Sequence, residues 1–243
     1  MRTIAVVNQK GGSGKTTTAV NIAAALAERG EHVLLVDLDA QGSASAWLGT
    51  CRLDDRLLDV FIADAMLTDL ARDTAWPRLS LVAASANLRD VAVAHAVDVH
   101  HALRRALPPP GRFDRVVLDC PPALGHVVIA ALAAADMALV PVAAHAMELD
   151  GLAAAHRTIT TVRQRINPDL ALRVLACRVD HRTRLAGEVV ATLRERLGAA
   201  VLTEVIRENV RVAEAPSHGL PVLGYAPRSA GAQDYRAAAA ELG

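Results

Sequence analysis

Short apolar runs punctuate this chain, separated by longer stretches in which apolar residues recur every three or four positions. Thr3-Ile4-Ala5-Val6-Val7, Val33-Leu34-Leu35-Val36, Leu79-Ser80-Leu81-Val82-Ala83, Val116-Val117-Leu118, Met137-Ala138-Leu139-Val140-Pro141-Val142, Leu172-Arg173-Val174-Leu175-Ala176-Cys177 and Val201-Leu202-Thr203-Glu204-Val205-Ile206 are too short for helices and rich in Val and Leu, as buried strands are. The stretches Thr18 to Ala27, Glu148 to Asn167, Arg182 to Leu197 and Gln233 to Leu242 have helical spacing. Shorter helices are expected at Ala44–Leu48, Leu57–Phe61 and Ala65–Leu67, with others beginning near Ser85 and at His100-His101. Strand alternating with helix predicts an α/β fold: a mostly parallel twisted sheet with helices on both faces. Pro108-Pro109-Pro110-Gly111 reads as a loop and not a linker, because the strand after it completes the same sheet. The chain has 243 residues, 52% of them hydrophobic, which suits one domain over residues 1–243.

The first strand runs into Asn8-Gln9-Lys10-Gly11-Gly12-Ser13-Gly14-Lys15-Thr16-Thr17, and a helix follows. Strand, Gly-rich loop, helix is the context of a phosphate-binding loop. Gly11, Gly12 and Gly14 let the backbone turn N–H groups toward an anion, and the helix start adds partial positive charge at the same point. Lys15 can reach the β- and γ-phosphates, and the Thr16 hydroxyl can ligate a bridging Mg2+. Lys10 and Lys15 are the only lysines among 26 basic residues. A chain that otherwise uses arginine keeps the compact ammonium at two places in one loop.

Carboxylates end two of the predicted strands. Asp37-Leu38-Asp39-Ala40-Gln41-Gly42 follows the second, and Phe113-Asp114-Arg115-Val116-Val117-Leu118-Asp119 closes on an aspartate. In an open parallel sheet the carboxyl ends of the strands face the ligand crevice. There a carboxylate can join a Mg2+ shell or orient water. A helix cap with a solvated turn is the plainer reading of Asp37 and Asp39 taken alone.

These segments resemble the ParA/MinD family of ATPases. Lys10–Thr17 matches the deviant Walker A motif K-G-G-x-G-K-T-T, although Gln9 replaces the first glycine of the ordinary P-loop pattern. Asp37–Gly42 resembles D-x-D-P-Q with Ala40 for proline. Asp119-Cys120-Pro121-Pro122-Ala123-Leu124-Gly125 resembles D-C-P-P-S-L-G with Ala123 for serine. Arg211-Val212-Ala213-Glu214-Ala215-Pro216-Ser217-His218-Gly219-Leu220-Pro221-Val222 resembles R-x-x-E-A-P-S-x-G-x-P-V. The likeness covers essentially the whole chain and is closest to the small Soj-type ParA proteins.

The resemblance implies a P-loop NTPase fold and slow ATP hydrolysis with Mg2+. Lys10, Lys15 and Asp39 would be catalytic. Lys10 through Thr17 would hold phosphates, and Thr16, Asp37 and Asp119 the metal. It further implies an ATP-bound sandwich homodimer in which Lys10 crosses to the partner's phosphates and Gly12 lies where the subunits meet. That dimer would bind double-stranded DNA non-specifically, with Arg182 and Arg211 on the DNA face. A ParB-type partner protein would stimulate hydrolysis and release, and the cycle would segregate chromosome or plasmid copies. The protein would be cytoplasmic, and nucleoid-associated when ATP-bound. Family members commonly read I-P-R-N-V where this chain reads Ile206-Arg207-Glu208-Asn209-Val210. Arg207 and Asn209 therefore fall in the expected base-binding region with proline missing.

Composition sets limits on this reading. Formal net charge is zero, with 13 basic and 17 acidic residues in 1–150 and 13 and 9 in 151–243, so any basic surface is local to the later part. Aromatics are 2%, which disfavours base stacking on aromatic platforms. Cys51, Cys120 and Cys177 have no zinc or cluster spacing, which leaves an iron–sulfur carrier of the same superfamily without ligands and fits a reducing compartment. The chain enters a strand at once, leaving no room for a signal peptide, and no run reaches transmembrane length. The C-terminal Tyr235–Gly243 lacks the basic, bulky amphipathic face that a MinD-like cell-division ATPase uses on membranes. An ATPase that positions a protein cargo instead of DNA remains open.

Overall fold

The computed structural model describes residues 1–49, 55–91, 99–123, 125–144 and 149–243. Cys51, Leu124 and the expected helix start at Glu148 lie outside these residues. Strands β1 (Arg2–Val6), β2 (Val33–Asp37), β3 (Arg72–Asp73), β4 (Leu79–Val82), β5 (Arg115–Asp119), β6 (Met137–Ala143) and β7 (Ala171–Cys177) form one sheet in the order β3-β4-β2-β5-β1-β6-β7. Every pairing is parallel except β3 with β4. The central strands are buried along nearly their whole length, as they must be when helices cover both faces.

Side-chain alternation divides the core. Ile4 and Val6 of β1 point to one face, where they pack with the helices Lys15–Glu28 and Ala230–Glu241. Ala5 and the following Val7 point to the other, toward the helices Val99–Ala106, His126–Ala134 and Leu149–Arg165. The first helix is rich in alanine and buries Ala19, Ala23, Ala24 and Ala27, so it lies close against the sheet. That closeness brings its N-terminus to the carboxyl ends of β1, β2 and β5.

The strand expected at Val201–Ile206 does not form. Val201 makes one isolated bridge to Val174 and Arg207 one to Val179. Leu202 and Ile206 still donate to β7 carbonyls, but between them the Thr203 and Glu204 N–H groups donate to the Glu241 carboxylate at 2.9 and 2.6 Å. The pair β3–β4 was not anticipated, because two residues carry no periodic signal. The first helix begins at Lys15 and not Thr18. The helix expected around Ala65–Leu67 sits at Leu67–Leu70, and the last helix starts at Ala230, capped by Ser229. Three short helical turns, Val210–Glu214, Ala215–His218 and Val222–Tyr225, fill the segment read earlier only as a motif. Among the described residues no helix is long and apolar enough to cross a membrane.

Candidate active site

The loop after β1 is shaped by its glycines. Gly12 and Gly14 have φ of 75° and 86°, the left-handed region, and a side chain at either would strain the turn. Gly14 is also the N-cap of the helix Lys15–Glu28, and its carbonyl accepts the Thr18 N–H at 2.8 Å. The first turn of that helix holds no acidic residue, so its partial positive charge is not cancelled locally. The Lys15 ammonium is nearly buried and donates to the Lys10 carbonyl at 3.1 Å. Burial pushes its pKa down, while the Asp119 and Asp39 carboxylates pull it back. Ser13 is buried with an unpartnered hydroxyl, and Lys10, Thr16 and Thr17 are half-buried around the mouth of the loop.

Asn8 anchors the loop from below. Its amide donates to the Pro141 carbonyl at 2.8 Å, and its side-chain oxygen accepts the Lys10 N–H at 3.0 Å. A β-carbon added to Gly151, in the helix Leu149–Arg165, would stand 2.8 Å from the Asn8 oxygen and 3.2 Å from the Lys10 Cβ. That helix therefore presses on the lysine loop through a glycine. Sequence reasoning missed both residues. Asn8 left a signal, a polar residue closing an apolar run, but Gly151 left none.

Asp37 and Asp119 occupy one register position on adjacent strands. Asp37 is well supplied with donors. The Ser45 N–H and hydroxyl reach its Oδ2 at 2.8 and 2.7 Å, and the Asp39 N–H reaches Oδ1 at 3.2 Å. Desolvation nevertheless raises its pKa to about 6, with those hydrogen bonds opposing the shift. Asp119 is fully buried, and neither of its oxygens has a hydrogen-bond partner of ordinary geometry. Its pKa is driven well up, first by desolvation and then by Asp37. The Thr16 hydroxyl and Lys15 are close enough only to offset this in part. A buried carboxylate with bare oxygens, beside a second carboxylate and a threonine hydroxyl, suits a hard divalent cation that takes oxygen ligands. Mg2+ there would be held by Thr16 and Asp119, with Asp37 alongside and already partly committed to Ser45. It would neutralise charge on bridging phosphates. Ser45 was not foreseen, since nothing local marks it as the partner of a residue eight positions earlier.

Asp39 is half-buried and turns its carboxylate back to accept the Gln41 N–H at 3.0 Å. It lines a cavity of about 300 Å3 together with Pro121, Pro122 and Ala123 of the loop after β5. A second cavity of about 280 Å3 leads from Gly12, Gly14 and Thr17 to Arg207, Asn209 and Tyr235. Arg207 and Asn209 thus border the space expected for the base, but both side chains are engaged. The Arg207 guanidinium pairs with Asp234 at 2.6 to 3.0 Å, and the Asn209 oxygen caps the next helix by accepting the Arg211 N–H at 2.9 Å.

Arg182 and Arg211 are exposed and each holds a carboxylate. Arg182 makes two hydrogen bonds of 2.9 Å to Asp180, which hold that carboxyl down to about 2. Arg211 reaches Glu214 at 2.8 Å, and Glu214 also accepts from the Tyr225 hydroxyl at 2.9 Å. His100 stacks on His126, with Nε2 3.0 Å from the His126 Nδ1. Among the described residues no cluster of three or more metal-binding side chains occurs.

A family model described as an AAA domain matches residues 1–172. The chromosome partitioning protein ParA of Caulobacter vibrioides is 40% identical, covering 100% of this chain and 94% of its own length. The chromosome-partitioning ATPase Soj of Thermus thermophilus is 43% identical, with 100% and 95% covered. The sporulation initiation inhibitor Soj of Bacillus subtilis is 38% identical, with 98% and 97% covered. Among solved structures, cobyrinic acid a,c-diamide synthase of Mycobacterium smegmatis with ADP and magnesium superposes with a TM-score of 0.84 at 33% identity, covering 100% and 94%. The septum site-determining protein MinD of Pyrococcus horikoshii, complexed with Mg-ADP, has a TM-score of 0.78 at 26% identity, covering 99% and 95%. With a two-lysine loop after β1, aspartates closing β2 and β5, and full-length relatives of this similarity, the chain belongs to the ParA/Soj family of P-loop partitioning ATPases.

Proposed function

We propose that this protein is a DNA-partitioning ATPase working as one unit over residues 1–243. ATP with Mg2+ would bring two copies face to face, and the dimer would hold duplex DNA without reading its sequence. A ParB-type partner protein would stimulate slow hydrolysis and release the DNA, so the protein would be nucleoid-associated while ATP-bound. The observation that carries this reading is the loop in which Lys15 is drawn inward beside Asp119 while Lys10 stays at the half-open rim. Lys15 would serve the phosphates of its own site, and Lys10 those of a second copy. Asp39 would orient the attacking water, and catalysis would be chiefly electrostatic positioning.

Arg182 and Arg211 would contact DNA phosphates by exchanging their carboxylates, at small cost because solvent screens exposed ion pairs. The Mycobacterium smegmatis relative bears the name of an amide-forming synthase. Partitioning is preferred because the three relatives at 38–43% identity bear chromosome-partitioning or Soj names. Sedimentation with and without ATP tests the cycle. The wild-type chain should dimerise with ATP, and Lys10→Ala should bind nucleotide yet stay monomeric. Normal dimerisation of Lys10→Ala would remove that lysine from the subunit interface.

A further inference from the structure

The cavity of about 280 Å3 lined by Gly12, Gly14 and Thr17 of the phosphate loop is also lined by two charged residues, Arg178 and Glu208. It lies near the small end of ligand pockets, which run from about 300 Å3 upward, and suits a nucleoside. Ile206, Val212 and the buried Tyr235 supply apolar walls for a flat ring. Arg178 and Glu208 form an ion pair, with Nε to Oε2 at 3.0 Å and Nη2 to Oε1 at 3.5 Å. The residue after Arg178 also ties the two segments together through the backbone. The Val179 N–H donates to the Ile206 carbonyl at 3.0 Å, and the Glu208 N–H to the Val179 carbonyl at 3.1 Å. Arg178 has φ of 53°, a left-handed conformation that a residue with a side chain seldom adopts.

The other polar side chains toward this end are committed. Arg207 is taken up by Asp234, and the Asn209 oxygen by the Arg211 N–H. Each Glu208 oxygen keeps a lone pair beyond the one that Arg178 uses, so Glu208 can accept a hydrogen bond from a ring edge with both oxygens oriented by one guanidinium. Glu208 stands where the resembled pattern I-P-R-N-V has arginine, so the acceptor departs from that pattern.

We propose that Glu208 determines base preference by accepting a hydrogen bond from the exocyclic amine of a 6-aminopurine, with Arg178 as the residue that positions it. This rests on reading the cavity as the nucleoside end of the phosphate site. A 6-oxopurine places a carbonyl oxygen where the amine would be, acceptor against acceptor, and is rejected. A site that hydrogen-bonds a ring substituent discriminates better than apolar walls do between rings of equal size. The pair itself adds little to folding, since both side chains are about half exposed. Removing it leaves a folded protein.

The test is competition of ADP and IDP against a fluorescent ADP analogue. These competitors differ at the purine 6-position, as amine against carbonyl with a ring N–H. In the wild type ADP should compete at least about tenfold better than IDP, the factor expected for one hydrogen bond to a charged acceptor. Glu208→Gln, whose amide can rotate to donate, should bring the two within about threefold, and Arg178→Met should narrow the ratio too, with thermal midpoints unchanged. A wild type without preference, or variants that keep its ratio, would overturn the proposal. Lys15→Ala serves as the control. Full ADP affinity in that variant would refute the placement of the nucleotide itself, whereas lost affinity there with an unchanged ratio at Glu208 would sink the base-reading role alone.

Discussion

Asp37 and Asp119 stand side by side at the ends of adjacent parallel strands, in one register position, and they are treated differently by their surroundings. Asp37 takes three hydrogen bonds from Ser45 and Asp39, whereas the two oxygens of Asp119 take none. An uncompensated buried carboxylate costs stability and is retained where a cation or phosphate chemistry needs it. The sheet thus carries a binding site at the expense of its own folding free energy.

Asp119→Asn should separate these two effects. Relieving the buried charge should leave the ligand-free thermal midpoint unchanged or raise it by about 2–4 °C, the shift expected for roughly 1 kcal/mol in a chain of this size. The further stabilisation that Mg2+ gives the nucleotide complex, read by adding EDTA, should disappear. A large drop in the ligand-free midpoint would show that the carboxylate supports the fold.

Asp39 faces the loop after β5 across a cavity and has room for water beside it. Asp39→Ala should bind ATP with near wild-type affinity and lose turnover by roughly 100-fold or more, the scale for a positioned acid–base group. Phosphate release under partner-free and saturating conditions measures this, and unchanged turnover would remove Asp39 from the chemistry.

Gly151 lets the helix Leu149–Arg165 press on the lysine loop. Gly151→Ala forces a methyl against the Asn8 oxygen at 2.8 Å, and overpacking of this kind costs roughly 1–3 kcal/mol. Since Asn8 holds the Lys10 N–H, the displacement should reach Lys10, and ATP-dependent dimerisation should weaken more than ADP binding. If the melting temperature falls while the dimer forms as before, the contact serves packing alone.

The buried thiols should be inert. Cys177 is pushed up to about 12 and Cys120 well above the ordinary thiol range, both chiefly by desolvation. A folded pKa above the unfolded one means stability that is complete below about pH 9 and is lost as pH rises toward 12. Both cysteines should resist alkylation at pH 8 in the folded protein, and each should react after denaturation. Rapid labelling of Cys177 in the native state, followed by mass spectrometry, would contradict its burial.

Much of this site is legible in the chain because its parts are local. An apolar run ended by a carboxylate identifies Asp37 and Asp119, and glycine spacing identifies the loop. The partners that tune those residues are distant and leave no periodic trace: Ser45 for Asp37, Gly151 for Asn8, and Arg178 for Glu208 across 30 positions. The missing strand at Val201–Ile206 has the same cause. Its apolar pattern suits a strand, but the Glu241 carboxylate of the last helix captures two of its N–H groups. Arg207 stands where the resembled pattern I-P-R-N-V has proline, and its engagement by Asp234 depends on a helix whose docking the sequence does not reveal.

The most direct test of the partitioning cycle is binding to non-specific duplex DNA without nucleotide, with ADP and with ATP, at low and moderate salt, for the wild type and Arg211→Ala. The account predicts binding with ATP alone, falling steeply with salt because phosphates carry the contact, and weakened by the substitution. Dimerisation with ATP and no DNA binding in any state would contradict it and point to a protein cargo.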